Sequence, residues 1–423
     1  MRIFENYFIV QYIIAPLFRV VDFILPKNEN YWGFSVHFIK SDQFVENTRA
    51  VFEEVKSDQS IHKILFTRDN LTDFYIEEAL NYRVVKLKSF EGLYLFMKCK
   101  VLFVAHSISM DYTLRYGPSK FVVLKANMSK RKVINLWHGI PFKKLFALWN
   151  PLVKKRGDRV RFRRYERKMY SGLICSSEVD AYAMTAMFHP IKNAQVWQTG
   201  LPRNDFLLLA YNELPNYLKS QIDYIKEIKK DKKLILYAPT YRQTAAVGSS
   251  EYYQFTDEEI KKLVVILKDN NAILGIRLHY FRHSDTLFNI EKYIDDEFIF
   301  DLGHTKIPEI APLIREADFV VSDYSSVFIE AMYLNKSVIA FAYDFEHYSK
   351  EQDGVLYDFK MVFPGDIVSN YDELLSSLDV ALQTNEENSN ERYRNAQRFF
   401  YKHRDTSNSK RVVEMVKSEL YDF

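Results

Sequence analysis

Short apolar runs of three to six residues recur along this chain in two series, and helical spacing fills the segments between them. Ile61–Phe66, Val101–Ala105, Lys132–Trp137, Gly172–Cys175 and Ala194–Trp197 form the first series. Leu234–Tyr237, Ala272–Ile276, Phe298–Phe300, Phe319–Val321 and Ser337–Phe341 form the second. Runs this short suit strands buried on both faces, the situation of parallel strands covered by helices. Helical spacing is read over Phe44–Lys56, Asp257–Asp269, Pro308–Ala317 and Val327–Leu334. Alternating strand and helix predicts an α/β doubly wound sheet, and two series predict two such domains facing each other. Ligands of these sheets bind beyond the carboxyl ends of the strands, so facing domains would enclose a central cleft. A chain of 423 residues exceeds one ordinary core. The expected divisions are an N-terminal helix (1–27), a first Rossmann-like domain (28–205), a second (206–400) and a C-terminal helix (401–423).

Composition narrows the class. Hydrophobic residues make up 48% and charged residues 27%, as in soluble globular proteins. The 16% aromatic content, mostly Tyr and Phe, fits an aromatic-rich core or a protein resting on a membrane surface. A net charge of +3 is too small to imply nucleic acid. Cys99 and Cys175 lie in apolar surroundings and read as buried thiols of a reducing compartment. The sequence has no C-x-x-C, no H-E-x-x-H and no D-x-D, so no metal site is read from it. Phe8–Leu25 is largely apolar, but Gln11, Arg19 and Asp22 interrupt it and Pro16 is expected to break it. That falls short of a spanning helix, and Glu5 and the bulky residues before Pro26 argue against a signal peptide. The expectation is a helix packed on the body or lying in a membrane interface, in a cytoplasmic protein.

The chemistry-bearing residues fall at strand ends. Val321-Ser322-Asp323-Tyr324-Ser325-Ser326 runs from an apolar strand into the helical Val327–Met332. Free backbone N–H groups and a positive dipole end make such a junction a place to hold phosphate. Trp137-His138-Gly139-Ile140-Pro141 puts a histidine where another strand stops, with Gly139 for the turn. A histidine there is placed to act as a general base, or merely to cap the strand. In Arg277-Leu278-His279, alternation sets Arg277 and His279 on one side, suited to a diphosphate or to ordinary surface charge. Leu201-Pro202-Arg203-Asn204-Asp205 and Ala238-Pro239-Thr240-Tyr241-Arg242 are further strand-end loops, each with an arginine able to meet phosphate. Asp323 is expected to orient neighbours. Glu330, one turn past Ser326, is expected to accept from a ribose hydroxyl or to face solvent.

The run Lys154–Lys168 carries nine Lys and Arg against Asp158 and Glu166, interleaved with Val153, Val160, Phe162 and Tyr165. That pattern fits a basic amphipathic helix on an anionic membrane. RNA is the rival partner, but no stacking motif accompanies the run, so no nucleic acid is expected.

Taken in order, these motifs resemble the CDP-glycerol glycerophosphotransferase family, the polyol-phosphate primases and polymerases of teichoic acids and related capsules. The resemblance runs from about Tyr31 to the C-terminus and includes the early Ser41–Arg49 segment. It implies a GT-B-like fold, peripheral attachment to the inner face of the cell membrane, a CDP-glycerol or CDP-ribitol donor, and a lipid-linked or polymeric glycan acceptor. It implies His138 and His279 as the catalytic pair. Arg277, Arg242, Ser325 and Ser326 would meet the donor phosphates, and Glu330, Thr240 and Pro239 the nucleotide and its ribose. Gly139, Asp323, Arg203 and Asp205 would support them. No resident cofactor is implied, with Mg²⁺ possible on the donor. The chain departs from the common pattern at Ile140, where Thr is frequent, and at Tyr280, where Pro is common. The alternative is a GT-B glycosyltransferase using a nucleotide sugar.

Overall fold

The computed structural model describes residues 2–37, 43–68, 74, 76–116, 120–122, 127–151, 160–240, 252–278, 289–384 and 390–421. Its first sheet comprises β1 (Asn28–Ser35), β2 (His62–Thr67), β3 (Tyr82–Lys86) and β4 (Cys99–Val104), with three later strands. A separate antiparallel pair, β5 (Leu114–Tyr116) and β6 (Lys120–Val122), precedes these: β7 (Lys132–Asn135), β8 (Gly172–Ile174) and β9 (Val196–Trp197). The order is β3-β2-β1-β4-β7-β8-β9 and every pairing in this sheet is parallel.

The second sheet holds β10 (Lys233–Tyr237), β11 (Ala272–Ile276), β12 (Ile299–Asp301), β13 (Phe319–Ser322), β14 (Ser337–Phe341) and β15 (Asp366–Val368). Its order is β12-β11-β10-β13-β14-β15, again parallel throughout. Both sheets therefore reverse direction beside their first strand, between β1 and β4 and between β10 and β13. Ligand crevices of doubly wound sheets open at that point. The two domains face each other in the GT-B-like arrangement, and one apolar cluster runs through both.

Local chemistry explains the elements. All five residues of β11 are buried, so its apolar run is continuous and does not alternate. Helix Asp257–Asp269 begins in a capping box of Thr256 with Glu259, has three acidic residues in its first turn, and buries Ile260, Leu263 and Leu267 along one face. The expected strands and helices recur within a few residues. Helices Phe90–Lys98, Glu178–Met187, Tyr371–Gln383 and Glu391–Phe400, with β1, β3 and β15, are not among the expected elements.

The N-terminal segment corrects the expectation at Pro16. The helix runs through it, over Tyr7–Ile24. Val10–Ile14 forms a π turn, and the Ala15 N–H donates to the Val10 carbonyl. That one-residue register shift accommodates the donor that proline lacks. Val10, Ile14, Phe18 and Asp22 face the body. Phe8, Tyr12, Leu17, Val20 and Ile24 are exposed. The buried Asp22 carboxylate pairs with Arg131 at 2.5 and 3.0 Å and accepts from Lys27 at 2.9 Å and from the Asn127 amide at 2.6 Å. Burial raises that carboxyl, but these partners together hold it below its ordinary value.

At the other end, helix Asn408–Tyr421 packs back on the first domain, against helix Glu46–Val55 and β7. Asp205 fixes its start by accepting from the Asn408 and Ser409 amides, each at 2.8 Å. Gly200 lies under it at φ +78, where an added Cβ would sit 1.9 Å from Asn408 Oδ1.

Candidate active site

The facing carboxyl ends of the two sheets enclose a cavity of about 670 Å³. His138 enters it just past β7. The strand exit is sharp: Trp137 has φ +43, and its N–H donates to Asn135 Oδ1 at 2.8 Å. Asn47, fully buried, donates to the Leu136 and Trp137 carbonyls at 2.9 and 3.0 Å and accepts from the Arg203 amide at 3.0 Å. One side chain thus ties the histidine loop to the Pro202–Asn204 turn.

His138 is partly accessible from the cavity but otherwise enclosed, tilted against Trp137 with ring centroids 4.0 Å apart and 5.0 Å from the His106 ring. Burial, and to a lesser degree the neighbouring His106 ring, push the imidazole down to about 3, with Glu46 acting the other way. It is neutral at physiological pH, the form that accepts a proton.

His106 stands at the carboxyl end of β4 and also lines the cavity. Asp111 supports it. Its Oδ2 accepts from the amides of Ala105, His106 and Ser107 at 2.9, 2.9 and 3.3 Å, and its Oδ1 lies 3.4 Å from His106 Nδ1. His37 packs edge-on against the same ring at 4.7 Å.

The second domain supplies the opposite wall. Thr240, Pro239, Arg277, His304, Ser325 and Ser326 line it. Asp323 accepts from the Thr240 amide at 2.8 Å and from the amide of its neighbour Tyr324 at 2.6 Å, tying two loops of this wall together. Ser326 precedes helix Val327–Tyr333 and faces Gly139: a Cβ built on Gly139 would be 3.4 Å from Ser326 Oγ. The histidine turn and the serine turn therefore meet across the cleft.

Several side chains take different work from that expected of them. Arg203 donates from Nε and Nη2 to Glu330 at 3.0 and 2.6 Å, and lies 3.4 Å from Glu46. Its fork is filled by carboxylates, so it holds the domains together where a phosphate contact was expected. Glu330 is buried, not solvent-facing, with both oxygens engaged by Arg203. Arg277 donates to the carbonyls of Leu302, Ile307 and Pro308 and contacts His304 Nδ1 at 2.8 Å. Burial lowers its guanidinium to about 9. It shapes the loop that carries His304 and lends its charge to the cavity. Asp205 lies outside the cavity lining and caps the C-terminal helix. His279 and Arg242 fall outside the described residues, as does 154–159 of the basic run. Of that run, Arg163 and Arg167 turn into the cavity wall, while Arg164, Tyr165 and Lys168 are exposed. Two of the run's arginines thus face the cavity, while others remain exposed.

Sequence reasoning missed Asn47, His106, His304 and the inward arginines. The rule that selected His138, a histidine at a carboxyl strand end, applies equally to His106 after Val101–Ala105. Among the described residues, no group of three or more His, Cys, Asp or Glu side chains is placed to hold a metal ion.

Residues 17–418 match the profile of the CDP-Glycerol:Poly(glycerophosphate) glycerophosphotransferases. The chain belongs to this family. A teichoic acid glycerol-phosphate transferase of Staphylococcus aureus is 31% identical over 63% of this chain and 65% of its own length. The chain therefore spans just under two thirds of that relative. A teichoic acid ribitol-phosphate primase of Bacillus spizizenii is 24% identical over 97% of both chains. The wall teichoic acid polymerase TagF superposes with a TM-score of 0.72 at 19% identity, over 96% of this chain and 93% of its own. That last similarity is one of fold. Within this glycerophosphotransferase family fold, the two sheets face each other as the resemblance implied.

Proposed function

We propose that this chain transfers glycerol phosphate or ribitol phosphate from a CDP-polyol to a hydroxyl of a lipid-linked or polymeric acceptor, releasing CMP, in teichoic-acid-like or capsular polymer synthesis. The observation that carries the reading is that His138 and the Ser325–Ser326 turn line one cavity, with Gly139, next to His138, packed against Ser326. Family membership supports it. So do relatives named for glycerol-phosphate and ribitol-phosphate transfer, and a TagF structure soaked with CDPG.

In this mechanism the acceptor oxygen forms a bond to the polyol-side phosphorus. The bond from that phosphorus to the bridging oxygen breaks, and the electron pair leaves with CMP. His138 takes the acceptor proton. Phosphate charge entering beside it raises its basicity. Ser325, Ser326, Thr240 and Pro239 lie on the donor wall, with the Arg277 charge behind them and His279 and Arg242 as further donor contacts. Such transfers depend chiefly on positioning and electrostatic stabilisation. The mechanism requires no resident cofactor, and Mg²⁺ arriving on the donor would offset the same charge.

The chain acts from the cytoplasm, on the inner face of the membrane. The exposed apolar stripe of helix Tyr7–Ile24 supports interfacial contact there, because its opposite face is fastened to the body through Asp22 and Arg131.

The test is CMP release with CDP-glycerol, CDP-ribitol, UDP-sugars and CMP-sugars in parallel, with a membrane extract as acceptor and His138→Ala as control. Release from a CDP-polyol, lost in the variant, supports the reading and names the donor. Turnover of a nucleotide sugar alone would make the protein a GT-B glycosyltransferase.

A further inference from the structure

The cavity has a second positively charged end, away from the donor wall. Helix Val160–Arg167 turns Arg163 and Arg167, one turn apart, toward it. Arg167 is only 5% exposed. Its Nη1 donates to the Met187 and His189 carbonyls at 3.3 and 3.4 Å, and the guanidinium lies 4.2 Å from the Phe146 ring centroid and 5.2 Å from that of Phe188. It makes no ion pair among the described residues. Glu166, its neighbour, directs Oε1 to the Ser109 amide at 2.7 Å. Burial pushes the Arg167 guanidinium down to about 10, with Tyr170 and Glu166 opposing. Arg163 lies 5.1 Å from the Phe146 centroid on the same aromatic floor.

A buried cation without a carboxylate is costly, because weak carbonyl dipoles replace its hydration. An arriving anion would remove much of that cost. The position says which anion. Phe146 and Phe188 pack on Trp137 at 5.6 and 4.9 Å, and Trp137 packs against His138 at 4.0 Å. Two layers of rings, Phe146 with Phe188 and then Trp137, thus link Arg167 to the proposed base His138. The donor phosphates belong to the opposite wall, with Ser325, Ser326 and Arg277. The anion on Arg167 must then come from the acceptor, whose terminal hydroxyl lies at His138.

Building on the transferase reading above, we infer that Arg167, with Arg163 beside it, forms a second anion subsite that holds the phosphodiester preceding the acceptor's terminal polyol. The aromatic floor carries the polyol itself. The site therefore selects an acceptor that already ends in a polyol phosphate over a neutral glycan hydroxyl. Arg167 acts as a specificity residue for extension, and the planar fork of arginine suits it to a phosphodiester.

The test uses full-length His138→Ala protein saturated with whichever CDP-polyol the wild type turns over. Calorimetric titration compares three probes: glycerophosphoglycerol, its uncharged diglycerol ether, and an N-acetylhexosamine diphosphate. Glycerophosphoglycerol is expected to bind roughly tenfold or more tighter than the ether, the size of one charge-assisted contact. Adding Arg167→Gln should erase that difference while donor affinity stays unchanged, and Arg167→Lys should restore part of it. If Arg167→Gln does not fold, the contrast between charged and uncharged probes in the parent protein decides the matter. Equal binding of the first two probes overturns the inference, as does a difference that survives in Arg167→Gln. Binding of the sugar diphosphate alone would reassign the subsite to the lipid-carrier end of the acceptor and also overturn it. Failure of the wild type to release CMP from any CDP-polyol is a separate result, which removes the transferase reading instead.

Discussion

Replacing Glu330 by alanine would leave Arg203 buried between the two domains with a weaker partner. In the intact protein the guanidinium donates to both Glu330 oxygens, at 3.0 and 2.6 Å, and both side chains are under a tenth exposed. Burial alone would lower the Arg203 pKa, but Glu330 and Glu46 more than compensate and raise it, so it stays charged in the variant's acidic surroundings too. Burial also raises the Glu330 carboxyl, with Arg203 opposing.

Removing one member of a buried, hydrogen-bonded ion pair costs about 3–5 kcal/mol, since the survivor keeps its desolvation penalty. Glu46 remains 3.4 Å from Arg203 and continues to offset part of the charge, which places Glu330→Ala at the lower end, about 3 kcal/mol. Glu330→Gln keeps one acceptor and should lose about 2 kcal/mol. The double variant Arg203→Met/Glu330→Leu removes both charges, so it should lose less than the sum of its single variants, by about 2 kcal/mol. Guanidinium unfolding followed by far-UV circular dichroism gives the four corners of the cycle. Additive losses, with a coupling below about 0.5 kcal/mol, would refute the argument that this pair clamps the domains.

Three further outcomes follow from other parts of the molecule. His138 titrates near 3 in the fold against 6.5 outside it, so the unfolded chain binds more protons between those values. Its contribution to stability is therefore full above pH 6.5 and is lost as pH falls toward 3, by at most about 5 kcal/mol because the ring meets the cavity. NMR of the imidazole should show no titration between pH 5 and 8, and a midpoint near 6.5 would contradict the burial argument. Gly200→Ala forces a side chain into Asn408 at a left-handed backbone position, and should release helix Asn408–Tyr421 to limited proteolysis while Gly139→Ala does not. Leu17→Glu with Val20→Glu, both on the exposed stripe, should abolish flotation with anionic liposomes yet leave CDP-polyol affinity intact. Undiminished flotation would place membrane contact elsewhere.

Much of the fold was legible because parallel sheets write themselves plainly. Ala272–Ile276 and Ser337–Phe341 match the strands to the residue, since burial on both faces leaves an uninterrupted apolar run. β3 escaped notice because an edge strand with Tyr82 and Arg83 exposed carries no such run. Pro16 misled for a local reason. Proline forbids the α register at one carbonyl, but a π turn placed just before it lets the helix continue, and only packing of Val10 and Ile14 on the body favours that choice.

The site divides along the same line. Sequence order alone determined that His138, Thr240, Arg277 and Ser325–Ser326 follow apolar strands, so parallel topology had to bring them to carboxyl ends. Which side chains remained available there was a tertiary decision. Sequence places Arg203 in a strand-end loop and Arg167 in a basic run, and neither setting names its partner. Folding sets Glu330, from 127 residues away, against the first and leaves the second among rings and carbonyls. Charge compensation depends on neighbours across domains, and local pattern carries no record of them.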